Sequence, residues 1–389
     1  MHRFALCLSS LIVSAPGISI LGALFFCHNF MEICRKFSKF VRTKQLNMAK
    51  AAKAQEGSIS KFQDALDKLN KAYGVGTVLT LDSKDNGDYD VISTGSIGFD
   101  YVTLGVGGFV KGKMYELMGW EGTGKSTICG HVVAEAQKKG NKVVYIDGEH
   151  AVDKNYFEAI GVNTSELLIA QPSCGEEGFN IAMEMINTGE VGLIIIDSDS
   201  SLIPKKQLDG EVGDSTIGYK SRLNSNAYPK LKSALSEHNV CLIVISQYRE
   251  KIGVMFGNPT TTQGGHALKF YSDCRIEVSK SLAKDGDVNY GNITKVKAIK
   301  NKMCPPYQLS QFEIVYGVGI DKLDEIMTLI NDHNLGRKYG KTMTIGETKY
   351  DLDEFKKMLT DNQEFYDDIK SQIINKIKET KIEEDDSEI

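Results

Sequence analysis

The chain has no surplus of positive charge. Its 46 Lys and Arg stand against 51 Asp and Glu, a formal net charge of −5 over 389 residues. That balance argues against a general basic coat for nucleic acid, though a local basic channel stays open. None of the eight cysteines forms a C-x-x-C pair, and several lie in apolar runs. They read as free thiols in a reducing compartment, not as a disulfide frame or zinc site. No internal repeat is present. The acidic, glycine-punctuated stretch Asp209–Gly218 fails as a calcium loop, because Lys220 stands at its twelfth position where a carboxylate is needed.

Charge is also missing locally. From Phe4 to Met31 there is no Lys, Arg, Asp or Glu. The apolar run is long enough for a membrane span or signal segment, although Pro16 and Gly17 interrupt it. Residues 1–47 carry six basic residues against Glu32, a net of +5, which leaves −10 for the remainder. A membrane anchor, an organelle transit sequence and a translated upstream extension all fit this segment. Met48-Ala49-Lys50 has the look of an ordinary start, and every functional motif lies after it. No membrane partner is expected for residues 48–389, and the cytoplasm is the expected compartment.

What is present centres on Gly119-Trp120-Glu121-Gly122-Thr123-Gly124-Lys125-Ser126, which fits the phosphate-loop pattern G-x-x-x-x-G-K-[ST]. Met114–Met118 before it reads as a short strand. Thr127–Lys139 after it has helical apolar spacing at Ile128, Val132, Val133 and Ala136. Strand, glycine loop and helix together aim backbone N–H groups and a helix N-terminus at phosphate oxygens. Lys125 would reach the β- and γ-phosphates of ATP, and the Ser126 hydroxyl would sit on Mg²⁺. A chance glycine turn is the competing reading. The loop alone does not say what the ATP is for.

The length suggests two or three domains, and 41% hydrophobic content supplies a sizeable core. Ser58–Tyr73 reads as an amphipathic helix with Phe62, Ala65, Leu66 and Leu69 on one face, stopped by Gly74-Val75-Gly76. It packs either on its own domain or on a neighbouring subunit. Apolar strands are expected at Lys142–Asp147, Gly192–Asp197 and Cys241–Ser246, separated by helices at Asn155–Ile160, Glu176–Asn187 and Ser221–Ser236. This alternation predicts an α/β fold with a mainly parallel central sheet covered by helices on both faces. Further strands are expected at Arg275–Ser279, Lys295–Asn301 and Phe312–Tyr316. From about Lys322 helical stripes dominate, and the acidic run from Glu383 reads as a disordered tail. The expected divisions are an extension over 1–47, an oligomerisation helix and linker over 48–90, and an ATPase core over 91–321. A small α+β C-terminal domain over 322–382 and the tail at 383–389 follow.

Several side chains have chemistry to offer this core. Asp197 ends an apolar strand, where a Mg²⁺-orienting carboxylate belongs; a turn-capping Asp is the plainer alternative. Asp147 and Glu149 follow another strand, and either could activate a water. Glu149 lies further past the strand end and is preferred; His150 reads equally well as structural. Gln247 follows a third strand and leads into Tyr248–Gly265, glycine-rich, with Arg249 and Lys251 near its start and Ile252, Val254, Met255 and Phe256 after them. Apolar groups on a loop await a partner, and the bases of a single strand are one such partner; a hairpin folded on the core is the other reading. Lys300 and Lys302 are placed on one face of a strand. They form either a solvated edge or a clamp for a polyphosphate, that of a neighbouring subunit included.

Taken together, the segments from Ser58 to Tyr316 resemble the bacterial RecA recombinases. The motifs that carry the resemblance are Ile92-Ser93-Thr94-Gly95-Ser96, the phosphate loop and Ile146-Asp147-Gly148-Glu149-His150-Ala151. Gly210-Glu211-Val212-Gly213-Asp214-Ser215, Lys251–Pro259 and Gly264–Tyr271 add to them. The resemblance implies a RecA-type ATPase that forms a helical filament on single-stranded DNA, pairs it with homologous duplex and exchanges strands. It implies Glu149 as catalytic carboxylate, Gln247 as the switch between γ-phosphate and DNA loops, and Lys125 as phosphate ligand. Thr127, Asp153 and Tyr156 join the phosphate loop in holding ATP, with Ser126 and Asp197 at the metal. Lys300 and Lys302 would reach the ATP of the adjacent subunit, and Lys269, Phe270 and Arg275 would serve subunit contacts. DNA would be met by Gly210, Glu211, Val212, Gly213, Ile217 and Arg222, and by Arg249, Lys251, Ile252, Gly253, Val254, Met255, Phe256, Gly264 and Gly265. The N-terminal helix would pack on a neighbour, the C-terminal domain would gather duplex, and the acidic tail would act as an electrostatic brake.

Departures from the family pattern are specific. Trp120 replaces the usual Pro, and Ser126 the commoner Thr, keeping the hydroxyl. Ile217 and Glu250 each replace a Met. Pro229 stands where the family has an Arg, which puts that DNA contact in doubt and is expected to kink its helix. A helicase-type relative and a DNA-protecting filament without strand exchange are the alternative functions.

Overall fold

The computed structural model describes residues 39, 44, 61–74, 78, 89–211, 218–250 and 260–387, with side chains as far as Thr380. Apart from Lys39 and Lys44, the expectations for residues 1–47 lie outside the described residues. So do Val212, Gly213, Ile217 and the apolar stretch Lys251–Pro259. The chain divides into two units, Met1–Asp88 and Tyr89–Ile389.

In the first unit, helix α1 occupies residues 61–73 and stops at Gly74, whose φ of 103° suits only glycine comfortably. Asn70 clamps the returning chain, accepting from Val78 N at 3.1 Å and donating to Val78 O at 3.3 Å. Phe62, Leu69 and Tyr73 share one helical face, and all three are exposed.

The second unit begins with strand β1 (Val91–Ile92), a π-helical turn (Gly98–Thr103), β2 (Phe109–Val110) and β3 (Met114–Gly119). Helix α2 (Lys125–Lys138), β4 (Lys142–Asp147), α3 (Lys154–Ala159), β5 (Leu168–Ala170), α4 (Gly175–Asn187) and β6 (Val191–Asp197) follow. Then come α5 (Lys205–Leu208), α6 (Tyr219–His238), β7 (Cys241–Glu250), β8 (Thr260–Thr262), α7 (Ala267–Tyr271), β9 (Cys274–Asp285), β10 (Val288–Asn301), β11 (Leu309–Val315) and β12 (Gly319–Ile320). The C-terminal part holds α8 (Lys322–Asp332), β13 (Gly336–Tyr339), β14 (Thr342–Ile345), β15 (Thr348–Asp351), α9 (Leu352–Asp361) and α10 (Gln363–Ser387).

A ten-stranded sheet runs in the order β12-β11-β10-β9-β3-β7-β6-β4-β5, with β8 attached to β7. From β9 to β5 every neighbouring pair is parallel. The antiparallel strands β10 to β12 extend one side. The core strands are continuous apolar runs because both of their faces are covered. Tyr115, Leu117, Val143, Tyr145, Leu193, Ile195 and Ile243 face one layer with Ile128, Val132 and Val133 of α2. Met114, Val144, Ile146, Ile194, Ile196 and Val244 face the other, with Phe179 and Ile186 of α4 and Tyr228, Leu231 and Leu235 of α6.

Several local expectations are corrected. Strand β7 continues past Ser246 to Glu250 and pairs antiparallel with β8, so the start of the expected loop is a ribbon. Helix α6 runs unbroken from Tyr219 to His238 with Pro229 inside it. The carbonyl that Pro229 leaves without a helical donor belongs to exposed Ser225, where water can serve it. Helix α10 reaches Ser387, so most of the acidic run continues a helix instead of being unstructured. The bulge between Ala298 and Lys300 breaks strict alternation, and Lys302 lies beyond the end of β10.

A third apolar cluster joins Ile326, Ile330, Met343, Phe355, Leu359, Ile369 and Ile373 to Ile97, ahead of the π-helical turn. At its edge Glu325 of α8 is buried. It accepts from Ser96 Oγ at 2.5 Å, Gly98 N at 2.9 Å and Ile97 N at 3.3 Å. Asp100, also buried, accepts from Ser93 Oγ at 2.5 Å and Thr94 N at 2.8 Å. Burial pushes both carboxyls up to about 7, against the opposing pull of these donors. At these two carboxyls the folded protein holds protons that the unfolded chain releases, so their contribution to stability falls as pH rises from the ordinary carboxylate range through about 7. Each buried carboxyl contributes at most about 1.4 kcal/mol per pH unit to that slope. Urea unfolding between about pH 5 and about pH 8 should show a shallower decline for Glu325→Gln than for the parent chain. Equal slopes would contradict the proton assignment.

Candidate nucleotide site

The parallel register brings the ends of β3, β4 and β6 to one edge together with Gln247, which lies within β7. Gly119 of β3 pairs with Gln247 of β7, and Asp147 of β4 pairs with Asp197 of β6. In such sheets the crevice beyond the carboxyl ends is where ligands bind.

The phosphate loop is shaped by its glycines. A Cβ on Gly119 would stand 2.3 Å from the Val278 carbonyl, so only glycine lets β3 approach β9 this closely. Gly124 has φ +90° and caps α2, and a Cβ there would meet Ile314 Cδ1 at 2.6 Å. Neither a capping side chain nor an acidic residue occupies the first turn of α2. Its N–H groups and positive dipole end are left for an anion. Lys125 is buried and donates to Trp120 O at 2.7 Å and Gly119 O at 3.2 Å. Burial lowers its pKa, opposed by the charges of Asp197 and Glu149.

Asp197 closes the floor. Its Oδ2 accepts from Ser126 Oγ at 2.8 Å and from the Tyr145 hydroxyl at 2.6 Å. Burial raises its pKa, and these two donors oppose the shift. The peptide between Asp197 and Ser198 is cis.

The choice between Asp147 and Glu149 is decided by their partners. Asp147 is buried and accepts from Ala151 N at 3.2 Å, Val152 N at 3.3 Å and Gln171 Nε2 at 3.3 Å, so it organises the turn after β4. Glu149 instead reaches into the crevice, where its Oε1 accepts from Ser198 Oγ at 2.6 Å and Gln247 Nε2 at 2.7 Å. His150, at φ 54°, bends the chain from Glu149 toward α3.

Together these groups line a cavity of about 350 Å³. Glu121, Gly122, Thr123, Gly124, Lys125, Ser126, Thr127, Glu149, Tyr156, Asp197 and Gln247 all face it. Tyr156 also donates its hydroxyl to Thr127 Oγ1 at 3.0 Å. Ile245, Asn292, Ile314, Tyr316 and Gly317 complete the wall and were not expected from sequence; the last four come from the antiparallel strands β10 and β11 and the turn after β11, distant in the chain. Tyr145 and Ser198 were likewise missed, being core-strand and turn residues with no motif of their own.

Other expected residues lie outside the cavity. Asp153 caps α3, accepting from Tyr156 N at 2.9 Å. Trp120 is exposed on the rim, its carbonyl holding Lys125. Lys300 donates to the carbonyls of Lys269 and Phe270 at 2.8 and 3.1 Å, and Lys302 pairs with Asp273 at 3.3 Å. Both ammonium groups thus converge on the end of α7, beside the exposed ring of Phe270. Lys269 donates to Thr261 Oγ1 at 3.2 Å, whereas Arg275 is committed to buried Glu116 at 2.5 Å.

Of the residues expected at DNA, Gly210, Glu211, Arg222 and Arg249 are exposed. Gly264 and Gly265 have positive φ and lie against α6. A Cβ on Gly264 would come within 2.3 Å of Asn224 Nδ2, and one on Gly265 within 2.8 Å of Ser221 Oγ. Their φ values of +89° and +82°, together with this close approach, favour glycine at both positions.

Comparison with known proteins adds an independent line. Residues 60–321 match the model of the RecA N-terminal domain. Protein RecA of Cytophaga hutchinsonii is 43% identical over 328 residues, covering 83% of this chain and 92% of the relative. Protein RecA of Aquifex aeolicus is 42% identical over 312 residues, covering 79% and 90%. That of Streptococcus mutans is 39% identical over 356 residues, covering 88% and 92%. With a phosphate loop, a strand-end Asp and a Glu–Gln pair meeting in one crevice, and with relatives of this similarity along most of its length, the chain belongs to the RecA family of recombinases.

Proposed function

We propose that the protein couples ATP and Mg²⁺ to filament assembly on single-stranded DNA, and then to pairing and strand exchange with homologous duplex. The chain is a DNA-dependent ATPase by family. The observation that carries the finer reading is the 2.7 Å hydrogen bond from Gln247 to Glu149. It joins the group placed to activate water to the strand that runs on as the β7–β8 ribbon.

The residues present suit a magnesium triphosphate. The glycine-shaped loop and the uncapped first turn of α2 form an anion cradle. Ser126 and Asp197 supply hard oxygen donors, and a site with few protein ligands suits a Mg²⁺ that takes the rest from phosphates and water. Bound there, the ion would offset phosphate charge. Lys125 would exchange its loop carbonyls for β- and γ-phosphate oxygens. Glu149 would accept the proton of the attacking water while Ser198 and Gln247 hold its carboxylate in place. Gln247 would shift its hydrogen bond when the γ-phosphate is present, passing that state along β7. Tyr156 and Asp153 would flank the adenine.

Beyond the single chain, Lys300 and Lys302 would reach the nucleotide of the next subunit from the exposed α7 edge. The apolar face of α1 would pack on a neighbour. Exposed Arg222 and Arg249, with the segments next to them, would meet DNA, and the part after Lys322 would gather duplex. Among the described residues no helix is long and apolar enough to cross a membrane. Action in the cytoplasm is part of the proposal.

Four outcomes are expected. Lys125→Ala should lose nucleotide turnover and strand exchange together, and DNA-stimulated turnover at the parental rate would overturn the site. Glu149→Gln should keep ATP binding, measured by equilibrium dialysis, while turnover falls by about 10²- to 10⁴-fold. Asp147→Asn should instead lower the unfolding midpoint, since its bonds are structural; the reverse pattern would exchange the two roles. Affinity for an oligothymidylate should fall with salt at a log–log slope of about −0.7 per phosphate neutralised. A flat response would argue against backbone contacts.

A further inference from the structure

Trp120, the chain's one tryptophan, sits within the phosphate loop with its indole against the ring of Tyr248. The centroids are 5.9 Å apart at 67°, an edge-on contact. Each partner is tied to something else. The Trp120 carbonyl accepts from Lys125 Nζ at 2.7 Å and from Thr123 Oγ1 at 2.9 Å, so the backbone of this residue sets where the loop's lysine and threonine lie. Tyr248 follows Gln247 directly, and its hydroxyl donates to Glu277 Oε1 of β9 at 3.0 Å, which fixes the ring. Tyr248 also pairs with Thr262 in the β7–β8 ribbon. One half-buried tyrosine thus touches the phosphate loop, the central sheet and the ribbon leaving the site.

We propose that Tyr248 is a positioning residue that couples the β7–β8 ribbon to the phosphate loop through Trp120, separately from the Gln247–Glu149 hydrogen bond. A shift of the ribbon moves residue 248 with its strand. The ring then moves against the indole, and the indole's own backbone carries the acceptor of Lys125. The converse holds as well: a nucleotide that draws Lys125 away from the Trp120 carbonyl frees the loop to move against Tyr248. The two routes use different atoms. Gln247 acts through an amide on the attacking-water side, whereas Tyr248 acts through ring contact on the loop side. The inference rests on the reading that the ribbon's far end responds to DNA.

The single indole supplies its own reporter. Emission from Trp120 would be followed while a slowly hydrolysed ATP analogue, then oligothymidylate, is added to the parent chain, to Tyr248→Leu and to Tyr248→Phe. Binding of the oligonucleotide would be measured in parallel by the anisotropy of a fluorescein label. In the parent chain both additions should change the emission. In Tyr248→Leu the analogue should still change it, while the DNA response disappears and DNA stimulation of turnover falls about 2- to 10-fold, the scale of one aromatic contact. Tyr248→Phe, which keeps the ring and loses only the hydroxyl, should restore most of both. A DNA response in Tyr248→Leu equal to the parent's would overturn the coupling. So would a parent chain that binds the labelled oligonucleotide with no change at Trp120. A parent chain that binds no oligonucleotide would instead overturn the DNA reading on which the inference stands.

Discussion

The register of the parallel strands is the constraint on which the site depends. Gly119 pairs with Gln247, Asp147 with Asp197 and Ile196 with Val244, so these residues line one edge of the sheet, with Gln247 further along it than Asp197. Side chains alternate along a strand, so a slip of one residue would send Asp197 to the other face and separate it from Ser126 and Tyr145. The apolar runs on both faces prevent such a slip. Ile194 and Ile196 belong to one buried layer and Leu193 and Ile195 to the other, and a shift would repack both at once. Packing far from the crevice thereby fixes distances of 2.6 to 2.8 Å within it.

Given that register, the polar groups divide by their degree of burial. Asp147 and Tyr145 are sealed in and serve the turn and the floor. Glu149 and Gln247 are left open and share a hydrogen bond that a ligand can reach. A similar division appears away from the site. Glu325 collects three donors from residues 96–98 and is buried, so α8 is joined to the core by a carboxyl whose protonation is costly to change.

Much of this was legible in the sequence, where the signal is local. The phosphate loop is contiguous, and Lys142–Asp147 and Cys241–Ser246 hold unbroken apolar runs, so their elements could be read to within a few residues. The β7–β8 ribbon was legible only as the alternative reading of a hairpin. Tyr248-Arg249-Glu250 is polar and leads into a glycine-rich stretch, and only pairing with Thr260–Thr262 makes it a strand. Short edge strands such as Leu168–Ala170 and the hairpins after Gly336 carry too few residues to establish a period. Asn292 and Tyr316 could not be found at all, because their place at the cavity follows from antiparallel pairing of β10 and β11. In the sequence, the preference for Glu149 over Asp147 rests only on position past the strand. Their hydrogen-bond partners supply the physical reason.

The central claim is that the Glu149–Gln247 hydrogen bond ties ATP turnover to DNA. Its most direct test is the ratio of ATP turnover with saturating oligothymidylate to turnover without it, for the parent chain and for Gln247→Leu. The expected result is clear stimulation in the parent chain and, in the variant, a ratio reduced to at most the roughly 2- to 10-fold share carried through Tyr248, with labelled-oligonucleotide anisotropy confirming that DNA is still bound. A variant that binds DNA and keeps the parent's ratio would contradict the claim.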